Sequence, residues 1–342
     1  MKVAVLKAPY QVVIEDRPKP ELQSGELLIR VRATGICGSD VHAYQGFHPR
    51  RKPPAILGHE LAGEVEVVAA GSTTDFKVGD RVTVLPQKKC GICFPCSQGL
   101  TSNLCDNKTL LGTNKWPGSF AEYIVAPKEL VYKIPKEVGY DLGALAEPLA
   151  VGLHAANRAG IKPDENVIIL GAGPIGLMSQ IAAQHMGAKD VIVADLSDMK
   201  LKTAEQLGAS ITINNSSIDL SSQLENYYGN RGVDVAIIAV GVPELITQVF
   251  PLVRKQGRVV LVGQFDKPGV IDIEKSRLKE QLITGSSTYT EENFLNAVNL
   301  LASEKYALQS IISHRIVMEE IGGGLDLLLK ENKNVIKVMV EI

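Results

Sequence analysis

Apolar and polar positions change rhythm part-way along the chain. Through residues 1–135 the apolar positions come in short runs that Gly and Pro interrupt. The stretch 27–32 is LLIRVR, 64–68 alternates as EVEVV, and 81–84 (RVTV) follows a Gly79-Asp80 turn. A period of two puts one face of a strand in a core, and many short strands with turn signals predict a small β-barrel-like domain. From about residue 148 strand and helix patterns alternate. An apolar run at 167–170 ends in glycines, 175–186 has helical spacing, 191–194 reads as a strand and 199–207 as a helix. Strands are predicted at 211–213, 233–240 and 258–262, so this half reads as a doubly wound parallel sheet. Two helical stretches follow near 293–303 and 321–329, and 335–342 closes the chain as a strand. No internal repeat or low-complexity segment interrupts the pattern.

Composition bounds the picture without changing it. A chain of 342 residues is long for one core and suits two domains. Apolar content of 45% and charged content of 22% are those of an ordinary globular protein. A net charge of -2 argues against general binding to nucleic acid or anionic membranes. No apolar run approaches the roughly 20 residues of a membrane span. The opening run from Met1 reads as a strand cut off by Pro9 rather than as a signal peptide, so a cytoplasmic protein is expected.

Cysteine does change it. In a reducing compartment, clustered cysteines read as metal ligands rather than disulfides. Cys90, Cys93 and Cys96 are spaced by three and Cys105 follows nine later. Four thiolates complete a tetrahedron and leave no room for chemistry, so this cluster predicts a structural zinc. The fifth, Cys37, is free to join His59 and Glu60 of Gly58-His59-Glu60. A thiolate, an imidazole and a carboxylate make three ligands, and the open fourth position is that of a catalytic zinc.

The run Gly171-Ala172-Gly173-Pro174-Ile175-Gly176 follows an apolar strand and opens a helix, the context a dinucleotide-binding turn requires. The first glycine makes the turn, the second lets a pyrophosphate approach, and the third packs helix on strand, with the helix N-terminus facing the phosphates. Asp195 ends the next strand, nineteen positions after Gly176, where a carboxylate holds the ribose hydroxyls and repels a 2′-phosphate. NAD is therefore expected over NADP.

Taken together, Cys37-Gly38-Ser39-Asp40-Val41-His42, Gly58-His59-Glu60 with Gly63, the four-cysteine loop, Glu147-Pro148 with Gly152 and His154, and the glycine turn resemble the zinc-dependent medium-chain dehydrogenases. The likeness runs over essentially the full length and is greatest to the polyol, sorbitol-type branch. It implies a β-rich GroES-like catalytic domain from residues 1–150 and 286–342 holding both zinc sites, and an NAD-binding Rossmann domain at 151–285. It implies that Cys37, His59 and Glu60 ligate the catalytic zinc, with Glu147 as a second glutamate ligating directly or through water. One thiolate and one carboxylate would then neutralise the ion. Ser39 would take the alcohol proton and His42 pass it on. Lys200 would lie near the adenosine ribose, with Val240, Gly241 and Val262 completing the cofactor site. Tyr44, Phe120 and Tyr289 would face the substrate. A homodimer or homotetramer is implied as well.

The chain departs from that pattern at three points. The Cys96 to Cys105 interval is one longer than usual, Ala69 replaces a glycine, and Thr288 replaces the arginine that usually precedes Tyr289. The last leaves polyol phosphates and sugar acids open beside polyols. Threonine or 2,3-butanediol oxidation is the runner-up, and a non-catalytic NAD(H)-binding relative the alternative of a different class. The loop His48-Pro49-Arg50-Arg51-Lys52 lies between metal ligands and offers cations to an anionic substrate.

Overall fold

Alternation in the first third is realised as strands β1 (Lys2–Ala8), β2 (Gln11–Asp16), β3 (Glu26–Ile36), β4 (Ala55–Ile56), β5 (Glu60–Val68), β6 (Arg81–Val84), β7 (Tyr123–Pro127) and β8 (Val131–Lys133). Helix α1 (Gly38–Tyr44) interrupts them and α2 (Ala146–Ala159) ends them. The computed structural model describes residues 1–70, 73–216, 220–331 and 333–342. The chain divides into two units. One holds Met1–Glu147, Thr290–Lys305 and Ile312–Ile342, and the other Pro148–Tyr289 and Tyr306–Ile311.

In the second unit the glycine-flanked apolar run becomes β9 (Asn166–Leu170), followed by α3 (Pro174–His185), β10 (Asp190–Asp195), α4 (Asp198–Gln206), β11 (Ile211–Asn214), β12 (Val233–Ile238), β13 (Val253–Leu261) and β14 (Leu282–Gly285). All pairings are parallel, in the order β11-β10-β9-β12-β13-β14. This is the doubly wound order, with its switch point between β9 and β12. Strands β9 and β12 are buried on both faces, which is why they read as nearly continuous apolar runs, interrupted by Asn166 at the start of β9 and by Asp234 within β12.

The tail then supplies α5 (Glu291–Ala302), β15 (Ile312–Val317), α6 (Ile321–Lys330) and β16 (Lys337–Glu341) to the first unit. Its larger sheet runs β8-β6-β5-β3-β16-β15, with β7 also on β3, and a smaller sheet runs β2-β1-β4. One apolar cluster is built from β1, α1, α6 and β16, another from β3, β5, β6 and β7. The register that matters is central: Gly35 of β3 pairs with Glu60 of β5, and Ile36 pairs with Val338 of β16. Among the described residues no helix is long and apolar enough to cross a membrane.

Candidate active site

That register assembles the site. Cys37 follows the last residue of β3 and precedes α1, while His59 immediately precedes β5 and Glu60 opens it next door. The candidate ligand atoms of Cys37, His59 and Glu60 all lie within 4.8 Å of one another. Gly58 holds φ +87°, a turn that suits glycine, and delivers His59 inward. Gly35 leaves the space that the Glu60 carboxylate fills; a Cβ there would collide with it. His59 and Glu60 are almost wholly buried.

Two further side chains hold this set. Asp40, fully buried, accepts from the amides of Cys37 (3.1 Å) and Gly58 (3.3 Å), tying the two arms together. Its Oδ1 also stands 3.5 Å from His59 Nδ1, which is buried without a hydrogen-bond partner. A carboxylate behind a histidine orients a metal-ligating ring. Burial works against both charges, but each stabilises the other: Asp40 is held well below the usual carboxylate range and His59 is raised. On the far side of β3, Lys337 of β16 donates from Nζ to both Glu60 oxygens (2.8 Å each) and to the Ile36 carbonyl (3.1 Å). It is 2% exposed, and Glu60, with Cys37 and Glu147, raises its pKa against the cost of burial. The converging set itself carries one thiolate and one carboxylate, as expected, and Lys337 sets a buried positive charge against that carboxylate.

Ser39 and His42 lie three apart on α1 and so share a face. Ser39 Oγ accepts from Arg51 Nη1 (2.7 Å), and Arg51 Nη2 donates to the Leu111 carbonyl (3.2 Å). Arg51 is 5% exposed and committed to Ser39 and Leu111, so of the loop's cations it is not one held out to an anionic substrate, as the sequence had suggested. Glu147, in the first turn of α2, is buried and acts electrostatically on Lys337, but it is outside the set of three converging ligand atoms. Tyr44 and Phe120 are corrected from substrate contacts to core. The Tyr44 hydroxyl donates to Asp326 (3.0 Å) and its ring meets Tyr10 edge-on; Phe120 packs in the same cluster over Gly58. Tyr289 is buried too.

Cys90, Cys93, Cys96 and Cys105 converge in the same way. Cys93 Sγ lies 3.4 Å from Cys96 Sγ and 3.7 Å from Cys105 Sγ. Zinc–sulfur bonds of about 2.3 Å at tetrahedral angles put sulfurs about 3.8 Å apart, so the loop fits the ion despite its extra residue. Backbone amides of Ile92 and Cys93 push the Cys90 thiol down to about 6, toward the ligating thiolate.

In the second unit Gly171 has φ +99° and lies under Val240, Gly176 packs against the Gly171 carbonyl, and the position of a Gly173 side chain is open space. Pro174 and Ile175 begin α3. Asp195 accepts from the amides of Ala172 (2.7 Å) and Ser197 (2.9 Å), so the carboxylate braces the turn from below. Lys200 is held below its ordinary pKa by burial, against the pull of Asp195. Gly241 passes close to the Gln264 carbonyl, and the Val262 amide donates to Ile238 (3.0 Å).

Residues 23–136 match the family pattern described as "Alcohol dehydrogenase GroES-like domain", and 174–303 match "Zinc-binding dehydrogenase". The chain is 35% identical to a sorbitol dehydrogenase of Bacillus subtilis, over 99% of this chain and 97% of that one. It belongs to the zinc-dependent medium-chain dehydrogenases. Two solved members are similar throughout. A putative zinc-binding dehydrogenase from Sinorhizobium meliloti bound to NADP has TM-score 0.91 and 31% identity, covering 100% of this chain and 99% of that one. A galactitol-1-phosphate dehydrogenase from Escherichia coli has TM-score 0.91 and 28% identity, covering 100% of both chains.

Beside the motifs that announce a medium-chain dehydrogenase, the sequence assigned no role to Asp40 or Lys337 and offered Arg51 only as one cation of the loop 48–52. Asp40 was detectable as an acid three residues into a helix start, where it satisfies the amide of the preceding cap. Lys337 was detectable as a lone charge in the apolar run 335–340. Arg51 carried no signal that separated it from Arg50 and Lys52.

Proposed function

We propose that this chain is an NAD-linked zinc dehydrogenase that oxidises a secondary alcohol of a polyol, polyol phosphate or sugar acid. The observation that carries this is the convergence of Cys37, His59 and Glu60 beside the Ser39–His42 face of α1. When bound there, zinc supplies a Lewis acid for the alcohol oxygen, and the nicotinamide accepts the hydride.

The chain's own residues do the rest. Cys37, His59 and Glu60 hold the ion, and Asp40 and Lys337 fix the orientation of His59 and Glu60. Ser39 takes the alcohol proton. Because Arg51 occupies one lone pair of Oγ, the other is left to accept, and the hydroxyl hydrogen is free to pass on toward His42. The four cysteines hold a second, structural zinc. Asp195 below the glycine turn supports NAD over NADP, although a relative carries NADP. Family resemblance alone supports a homodimer or homotetramer.

The test is NADH formation, recorded at 340 nm, with sorbitol, sorbitol 6-phosphate, gluconate, L-threonine and 2,3-butanediol, each also run with NADP. Turnover of a polyol-type member with NAD is expected. Turnover of threonine or butanediol alone would replace the substrate assignment, and no turnover of any with either cofactor would overturn the function.

A further inference from the structure

The chain between the two arms of the active site does more than connect them. His48 Nδ1 accepts from the amides of Arg50 (3.1 Å) and Arg51 (2.9 Å), which pins the loop so that successive side chains part company. Arg51 turns inward to Ser39, while Arg50 and Lys52 are exposed and line a cavity of about 450 Å³. The opposite wall comes from the segment after Cys105 and brings Lys108 and Lys115, with Asp106 as the one carboxylate. Four cations and one anion leave +3 around a space whose volume is that of a small-molecule pocket.

None of the four cations makes an ion pair among the described residues. Like charges on one wall cost energy unless an anion neutralises them. Lys108 is half-buried, and burial together with the Arg50 charge lowers its pKa, so the two walls feel each other across the cavity. The pocket is also next to the chemistry. Arg51, between two of its lining residues, reaches Ser39, and its other nitrogen bonds the carbonyl of Leu111, the neighbour of the lining residue Leu110.

We propose that this cavity recognises the anionic end of the substrate, a phosphate monoester or a carboxylate, while the alcohol being oxidised lies at the Cys37, His59 and Glu60 site. This rests on the dehydrogenase reading above and narrows its substrate class from polyols in general to acidic ones. Guanidinium and ammonium groups hold such anions through charge-assisted hydrogen bonds.

Arg50→Ala/Lys52→Ala removes one wall using exposed side chains outside the catalytic machinery. Wild type and variant are compared on sorbitol, sorbitol 6-phosphate and gluconate. The wild type should favour one acidic alcohol over sorbitol by about tenfold or more in kcat/KM, and which one distinguishes phosphate from carboxylate. The variant should lose about tenfold or more on that substrate, through KM, and keep its activity on sorbitol. Equal losses on neutral and acidic alcohols, or no preference in the wild type, would overturn the pocket and leave the dehydrogenase reading standing. If none of the three is oxidised, calorimetric titration with sorbitol 6-phosphate and with gluconate decides the pocket by itself. Binding of either that the variant loses supports it, and binding of neither, or binding the variant keeps, refutes it.

Discussion

Glu60 answers to two partners. It faces the Cys37 and His59 ligand atoms, and both its oxygens are held at 2.8 Å by Lys337. Removing one member of a buried pair leaves the other uncompensated, at a cost of about 3–5 kcal/mol. Lys337→Met should therefore lower the unfolding free energy by about that much in chelator, and by clearly less with zinc present, since the ion takes over the neutralisation. Equal losses in the two urea titrations would show that Glu60 does not meet the metal. His48 gives a pH-dependent counterpart. Burial, then the Arg51 charge, press its pKa from 6.5 down to about 4, in keeping with an Nδ1 that accepts two amides. Between those values the folded chain binds fewer protons than the unfolded one, so stability falls as pH drops through the window. His48→Gln should flatten that part of the profile, and the wild type's melting temperature should fall more than the variant's from pH 6.5 to 5.

At the scale of elements, the glycine turn and the strand that follows it act as one unit. Asp195 closes β10 and holds the amides of Ala172 and Ser197, so the residue that would meet the ribose also shapes the loop beneath the pyrophosphate. Asp195→Ala should raise the NADP to NAD ratio of kcat/KM by about tenfold or more while weakening NAD binding. An unchanged ratio would mean that the carboxylate serves only the loop. Elements of this half were legible because strands buried on both faces are apolar almost throughout, as 167–170 are and as 233–238 are apart from Asp234. Their edges were less so. β13 starts at Val253 rather than 258 because Arg254, Lys255 and Gln256 disguise it, and Arg254 is polar for a reason: its Nε donates to Asp234 on β12 (2.5 Å). Strand β15 was missed because Ser313, His314 and Arg315 break its apolar rhythm.

At the scale of the molecule, each metal-ligand set and its supports lie in the first unit, and the glycine turn with Asp195 lies in the second. Ligands were legible because zinc demands particular residue types at short spacing. The residues that tune them were not, since Lys337 comes to Glu60 from 277 positions away through a sheet register that no local pattern encodes. Tyr44 and Phe120 were misplaced for the same reason: an aromatic ring near a motif is as readily core as pocket. Independence of the two metal sets is what a catalytic and a structural zinc in one unit require. The measurement that tests this most directly is Cys37→Ser, read by zinc content per chain and by NADH formation on the substrate that wild type turns over. Two zincs in the wild type, one in a folded variant, and loss of turnover are predicted. A variant that keeps two zincs, or that still forms NADH at the wild-type rate, would contradict the account.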